Sequence, residues 1–167
     1  MSDERLILVT GASGYVGGRL VTSLLADKAK VRVFVRDSNK AQSHSWANDV
    51  EIAVGNATDY QSTVKALTGV HTAFYLLHSI NLGPNFDQIE SEMARNFAKA
   101  AQECGVKQIV YLGGINNDAK TSKHLQSRAN TGKELATTSV AVMELRAGII
   151  IGSGSASFEM LRHLTHR

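Results

Sequence analysis

Cysteine, proline and aromatic side chains are all scarce in this sequence: of 167 residues, one is cysteine, one is proline and 6% are aromatic. A lone thiol, Cys104, closes no internal disulfide, and its place in an apolar helical pattern fits a reducing cytoplasm. With only Pro84 and no Ser/Gly-rich or low-complexity tract, nothing marks a linker, so residues 1–167 read as one domain. No apolar run reaches the roughly 18–20 residues a membrane span requires. The opening MSDERLILVT is polar and acidic, without the basic region of an export signal, and the expectation is a soluble chain with no membrane partner. Basic residues never occur three in a row, and 18 Lys plus Arg against 15 Asp plus Glu leave a net charge of only +3, so nucleic acid is not an expected partner. His44, His71, His163 and His166 lie too far apart, with too little cysteine, for a metal site.

What is present is the composition of an ordinary globule, 43% hydrophobic and 20% charged. Apolar runs rich in β-branched residues alternate with stretches of three-and-four apolar spacing, the mark of βαβ units. The runs predict strands at Leu6–Thr10, Val31–Val35, Glu51–Val54, Thr72–Leu77, Gln108–Leu112 and Val140–Arg146. Helices are predicted at Tyr15–Ala26, Tyr60–Leu67, Phe86–Cys104 and Ser122–Thr137, with a shorter one near Lys40–Ala47 beside the packing residue Trp46. Strands as continuously apolar as Leu6–Val9 need cover on both faces, so the expected fold class is α/β: a three-layer, doubly wound parallel sheet, the Rossmann fold.

The segment LILVTGASGYVGGRL runs a buried strand into glycines at three-residue spacing and then into a helix. Gly11 permits a tight exit from the strand, Gly14 lets main chain approach a pyrophosphate, and Gly17 lets helix and strand pack closely. The amides of the turn and first helical residues, from Gly11 through Ala12, Ser13, Gly14, Tyr15 and Val16 to Gly17, then face the phosphates. At the end of the second strand, VRVFVRD puts Arg36 where an NAD site would usually place a carboxylate. A guanidinium suits a ribose 2′-phosphate, so the expected cofactor is NADP(H) in preference to NAD(H), with Ser13, Ser38 and Lys40 as added contacts. The alternative leaves Arg36 in solvent and gives the ribose to Asp37. Gly55, Asn56 and Ala57 follow the third strand, where the adenine would lie, and Leu77, His78 and Ser79 end the fourth at the ligand-binding edge.

TGASGYVG, VRD, GNATD, FYLLHS, VYLGG and LRAGIIIGSGSASFE together resemble the atypical short-chain dehydrogenase/reductase superfamily over essentially the whole chain. Within it they are most similar to the nucleoside-diphosphate-sugar epimerase-like and NmrA-like NAD(P)-binding proteins. The resemblance implies hydride transfer between a nicotinamide and a carbonyl or alcohol substrate. Active members carry a serine or threonine at the end of the fifth strand and a tyrosine and lysine four residues apart on the next helix. Here the strand ends in Gly113, Gly114 and Ile115, and the helix offers His124 and Arg128 in SKHLQSR, with Ser122 and Ser127 as weaker candidates and Tyr111 inside the strand. His124 and Arg128 as a variant proton-transfer and anchoring pair, or a catalytically silent NADP-binding sensor, both stay open. The resemblance further implies a C-terminal substrate region, and the expectation is that it is truncated after a last helix at Ser157–His166. It leaves a homodimer through the third and fourth long helices open.

Overall fold

A computed structural model describes residues 5–78, 85–115 and 122–165. Pro84, Ser79 and His166 lie outside the described residues. Strands β1 (Leu6–Thr10), β2 (Lys30–Val35), β3 (Glu51–Val54), β4 (Val70–Tyr75), β5 (Gln108–Gly114) and β6 (Ala141–Ala147) form one parallel sheet in the order β3-β2-β1-β4-β5-β6. Helices α1 (Tyr15–Ala26), α2 (Ser38–Gln42), α3 (Tyr60–Leu67), α4 (Phe86–Glu103), α5 (Lys123–Leu135) and α6 (Ala156–Thr165) connect or follow them. The chain turns outward in opposite directions from β1 and β4, and a sheet that reverses its order leaves a crevice beyond the carboxyl ends of those two strands.

Alternation along the strands divides the core between two faces. Leu8, Ala73, Tyr75, Ile109 and Tyr111 point to one side, where Leu67, Phe97 and Leu135 of α3, α4 and α5 cover them. Val9, Val31 and Val33 point to the other, against Val21 of α1, Ala41 of α2 and Trp46. Each face therefore hides its own apolar cluster, which yields three layers and accounts for strands without polar alternation.

Two details differ from the sequence pattern. The predicted helix near Lys40–Ala47 is instead the five-residue α2 followed by a 3₁₀ turn at Ala47–Asp49. Asp37 starts α2 by accepting from the amides of Asn39 and Lys40, while His44 stacks on Trp46 with ring centroids 4.7 Å apart. β4 lies two residues earlier than the apolar run indicates, because the amide of Leu76 leaves the ladder to donate to Thr10 Oγ1 at 2.9 Å. The same hydroxyl donates to the Phe74 carbonyl at 3.0 Å, so one buried side chain ties the ends of β1 and β4 together. β6 is an edge strand whose outward side shows Met143 and Leu145, each about half exposed. No helix among the described residues is long and apolar enough to cross a membrane.

Candidate functional site

The crevice holds a cavity of about 570 Å³, within the range of cofactor sites. Its floor is the turn Gly11, Ala12, Ser13 and Gly14. One wall is the end of β2, with Arg36, Asp37 and Lys40, and the other the loop Gly55, Asn56, Ala57 and Thr58. Leu76, Leu77 and His78 close its inner end together with Ile89 and Met93 of α4.

The turn is built by close approach. Gly11 has φ +65°, and a Cβ there would sit 2.7 Å from the Leu76 carbonyl oxygen. At Gly17 a Cβ would fall 2.2 Å from the carbonyl oxygen of Gly11, so α1 is pressed directly against the loop that feeds it. Gly14 donates to the Gly11 carbonyl at 2.9 Å and caps α1 with no side chain, and the first turn of α1 contains no acid. By contrast α2, α3 and α5 are capped by the side chains of Asp37, Asp59 and Ser122. The first-turn amides of a helix have no partners within it, and at α1 no side chain caps them, while the turn through Gly14 that leads into the helix lines the cavity. This end of α1 fits a phosphate group.

Beside it, Asp37 spends its carboxylate on the N-terminus of α2 through one oxygen shared by Asn39 and Lys40. Arg36, exposed and facing the cavity, makes no hydrogen bond or ion pair among the described residues. The arrangement leaves the Arg36 guanidinium without a partner among the described residues at this end of the cavity, and Lys40 adds a second cation. Asn56 lines the cavity and accepts from the amide of Thr58 through its side-chain oxygen at 3.2 Å.

Twelve of the residues singled out in the sequence thus share one cavity: Gly11 to Gly14, Arg36, Asp37, Lys40, Gly55, Asn56, Ala57, Leu77 and His78. Tyr15, Val16 and Gly17 are not among the residues that line it. The Arg19 guanidinium lies 3.7 Å above the Tyr15 ring, whose hydroxyl packs against Gly152. Gly113 also stands away from the cavity, and its missing side chain makes room for the Glu144 carboxylate, 2.5 Å from where a Cβ would be.

His124 and Arg128 share a face of α5, as their spacing requires, yet they part company in use. The Arg128 guanidinium donates to the Leu112 carbonyl and sits 5.8 Å from the centre of the Tyr111 ring, whose hydroxyl donates to the Arg128 carbonyl at 2.9 Å. It braces β5 and faces no part of the cavity. His124 packs on His78 with ring centroids 4.6 Å apart and planes tilted by 43°, and its Nδ1 is buried without a partner among the described residues.

A carboxylate absent from the sequence-based candidates joins this group. Glu90 of α4 is only 4% exposed, and its Oε1 lies 2.9 Å from His78 Nδ1. The Ser127 hydroxyl of α5, itself buried, donates to the other oxygen. Below them Tyr75 is fully enclosed, and burial, with a smaller push from Glu90, raises its pKa so far that the phenol stays protonated.

Burial, then the neighbouring His78 and Arg128, hold the His124 imidazole below its ordinary value of 6.5, although Glu90 pulls the other way. A depressed pKa means that neutral His124 supports the fold fully above 6.5, and that this support is lost as pH falls through the lower folded value. Urea unfolding is expected to show stability declining from pH 7 toward 5, and His124→Phe is expected to flatten that decline. An equal slope in both proteins would refute the assignment. The carboxylates Asp59 and Glu134, held low by the Ser62 hydroxyl and by Arg95, add their own loss only further into acid, from 4.5 downward.

Fold and crevice are those of the Rossmann class. Residues 3–134 match the model of the NmrA-like family, and the chain belongs to that family. Among curated proteins it is 35% identical over 129 residues to sterol demethylase protein B of Methylococcus capsulatus, covering 70% of this chain and 38% of that protein. Two solved structures superpose well. The triphenylmethane reductase of Citrobacter sp. complexed with NADP(H) does so with a TM-score of 0.74 at 26% identity, over 86% of this chain and 49% of that one. The NADPH-dependent quinone oxidoreductase of Escherichia coli complexed with NADPH does so with a TM-score of 0.69 at 26% identity, over 84% of this chain and 48% of that one. The chain therefore spans about half the length of these solved proteins and less of the curated relative.

Proposed function

We propose that this chain is the cofactor-binding part of an NADP(H)-dependent oxidoreductase or epimerase-like enzyme acting on a small carbonyl or alcohol substrate. The carrying observation is the pairing, in one cavity, of a helix N-cap without a side-chain cap and an arginine at the end of β2 that has no partner among the described residues. The turn Gly11 to Gly14 and the first amides of α1 seat the diphosphate, Arg36 and Lys40 take the 2′-phosphate, and Asn56 and Ala57 flank the adenine. When bound, the dinucleotide supplies or accepts a hydride; the protein orients it and manages the accompanying proton. The solved relatives named above, both complexed with the phosphorylated dinucleotide, support this choice of cofactor.

Calorimetric titration tests the reading. NADPH is expected to bind at least about tenfold more tightly than NADH, a ratio that needs only about 1.4 kcal/mol. Equal affinities would remove the preference for the phosphorylated form, and heat from neither would remove the cofactor altogether.

A second reading, an NADP-binding sensor without chemistry, draws on the engagement of Arg128 with Leu112 and Tyr111, which holds that guanidinium away from the cavity. Under that reading NADPH binds tightly and no carbonyl compound causes its oxidation.

A further inference from the structure

Building on the dinucleotide reading, we propose that His78 is the proton-transfer residue of this site, with the buried Glu90 carboxylate fixing its Nδ1 so that Nε2 serves the cavity. The place of a tyrosine and lysine on α5 would then be taken by a histidine at the end of the β4 segment and a carboxylate on α4.

Three observations carry it. His78 lines the inner end of the cavity and keeps 30% of its side chain exposed. Its Nδ1 is engaged at 2.9 Å by Glu90, so among its ring nitrogens only Nε2 remains for a ligand. Glu90 cannot easily swing away, since it is buried and its second oxygen is taken by Ser127. A carboxylate that receives the Nδ1 proton sets the tautomer and the ring orientation, as orienting carboxylates do for acid–base histidines in general. Glu90 and Ser127 act through His78 and are positioning residues.

The facing groups suit the assignment. The His124 ring packs on that of His78, and its depressed pKa keeps it a neutral neighbour. The charged head of Arg128 is turned to Leu112, and the phenol of Tyr75 stays protonated. Glu90 is thus the group placed to balance an imidazolium at position 78.

The step balances simply. In reduction of a carbonyl, the Nε2–H bond of the imidazolium breaks and an O–H bond forms on the substrate oxygen, while the N–H electron pair stays on the ring. The two electrons that reduce the carbon arrive as hydride from the reduced dinucleotide. The neutral imidazole keeps its other proton against Glu90 and takes a new one at Nε2 from water.

Two measurements test this. Nitrogen-15 NMR of the chain without nucleotide, in alkaline solution, is expected to find the neutral His78 ring protonated at Nδ1. Glu90→Met is expected to move that proton to Nε2, and Ser127→Ala to give a mixture. A wild-type ring protonated at Nε2 overturns the proposal, and this result stands even if Glu90→Met does not fold. With NADPH and 4-nitrobenzaldehyde as probes, His78→Gln is expected to lower turnover by about a hundredfold and to keep NADPH affinity within about twofold. An inert wild type that still binds NADPH, or an undiminished His78→Gln rate, overturns the proposal and leaves the cofactor reading standing. Absence of NADPH binding would instead strike the cofactor reading itself.

Discussion

Gly17→Ala is expected to lower the thermal midpoint by about 10 °C and to weaken NADPH binding at least about tenfold. In an open helix the change would help, since alanine is favoured over glycine by about 1 kcal/mol. Here the added methyl would lie 2.2 Å from the Gly11 carbonyl oxygen, 2.8 Å from its carbon and 2.9 Å from Ala12 Cα. All three are main-chain atoms of a turn that Gly14 closes by a hydrogen bond, so no side chain can swing aside. Overpacking of this kind costs about 1–3 kcal/mol and more where backbone must move. A net loss near 3 kcal/mol corresponds to the stated shift for a domain of this size, at about 2–4 °C per kcal/mol. The binding loss follows from the same displacement, because pushing α1 off the turn moves the first-turn amides away from the phosphate seat. Differential scanning calorimetry and NADPH titration on one preparation decide it. An unchanged midpoint would mean that the turn is looser than its geometry indicates.

The second large effect is on cofactor choice. Arg36→Asp is expected to cut NADPH affinity by about a hundredfold, or about 2.7 kcal/mol, and to leave NADH nearly untouched. Two terms add: loss of a charge-assisted contact to the 2′-phosphate, and repulsion between that phosphate and the new carboxylate. Asp37 cannot compensate by handing its role over, since it remains bound to the amides of Asn39 and Lys40. Because Lys40 stays in the cavity, some attraction survives, and the remaining NADPH affinity should fall as salt is raised. Titrating both dinucleotides against both proteins gives the four constants needed. If the two affinities for wild type already coincide, Arg36 faces solvent and the ribose end is read by other groups.

The layers and the close-packed glycine turn were legible because each depends on short-range rules. Apolar strands without alternation announce two covered faces, and glycines three apart between a strand and a helix announce a close approach. Such rules fail where a residue's partner comes from elsewhere in the chain. FYLLHS is continuously apolar up to its histidine, so nothing in it reveals that β4 stops at Tyr75, where Thr10 claims the next amide. Arg128 stood four residues from His124 as a lysine would stand from a tyrosine, but spacing does not tell which carbonyl a guanidinium will find.

Glu90 was passed over because a carboxylate in a helix as charged as FDQIESEMARNF reads as solvent-facing. The signal was nevertheless there. Counting from it by helical steps meets Ala94, Phe97, Ala98 and Ala101, all buried, so an acid sat on the inward stripe and needed a polar partner. His78 and Ser127 are those partners, and only the sheet order brings them to it.

The hydroxyl of Thr10 sets the gauge of the crevice before any ligand arrives. By giving its proton to one strand-end carbonyl and accepting from the amide two residues on, it holds the mouth at a fixed width. A guest therefore meets walls already spaced for it and spends little of its affinity on ordering them.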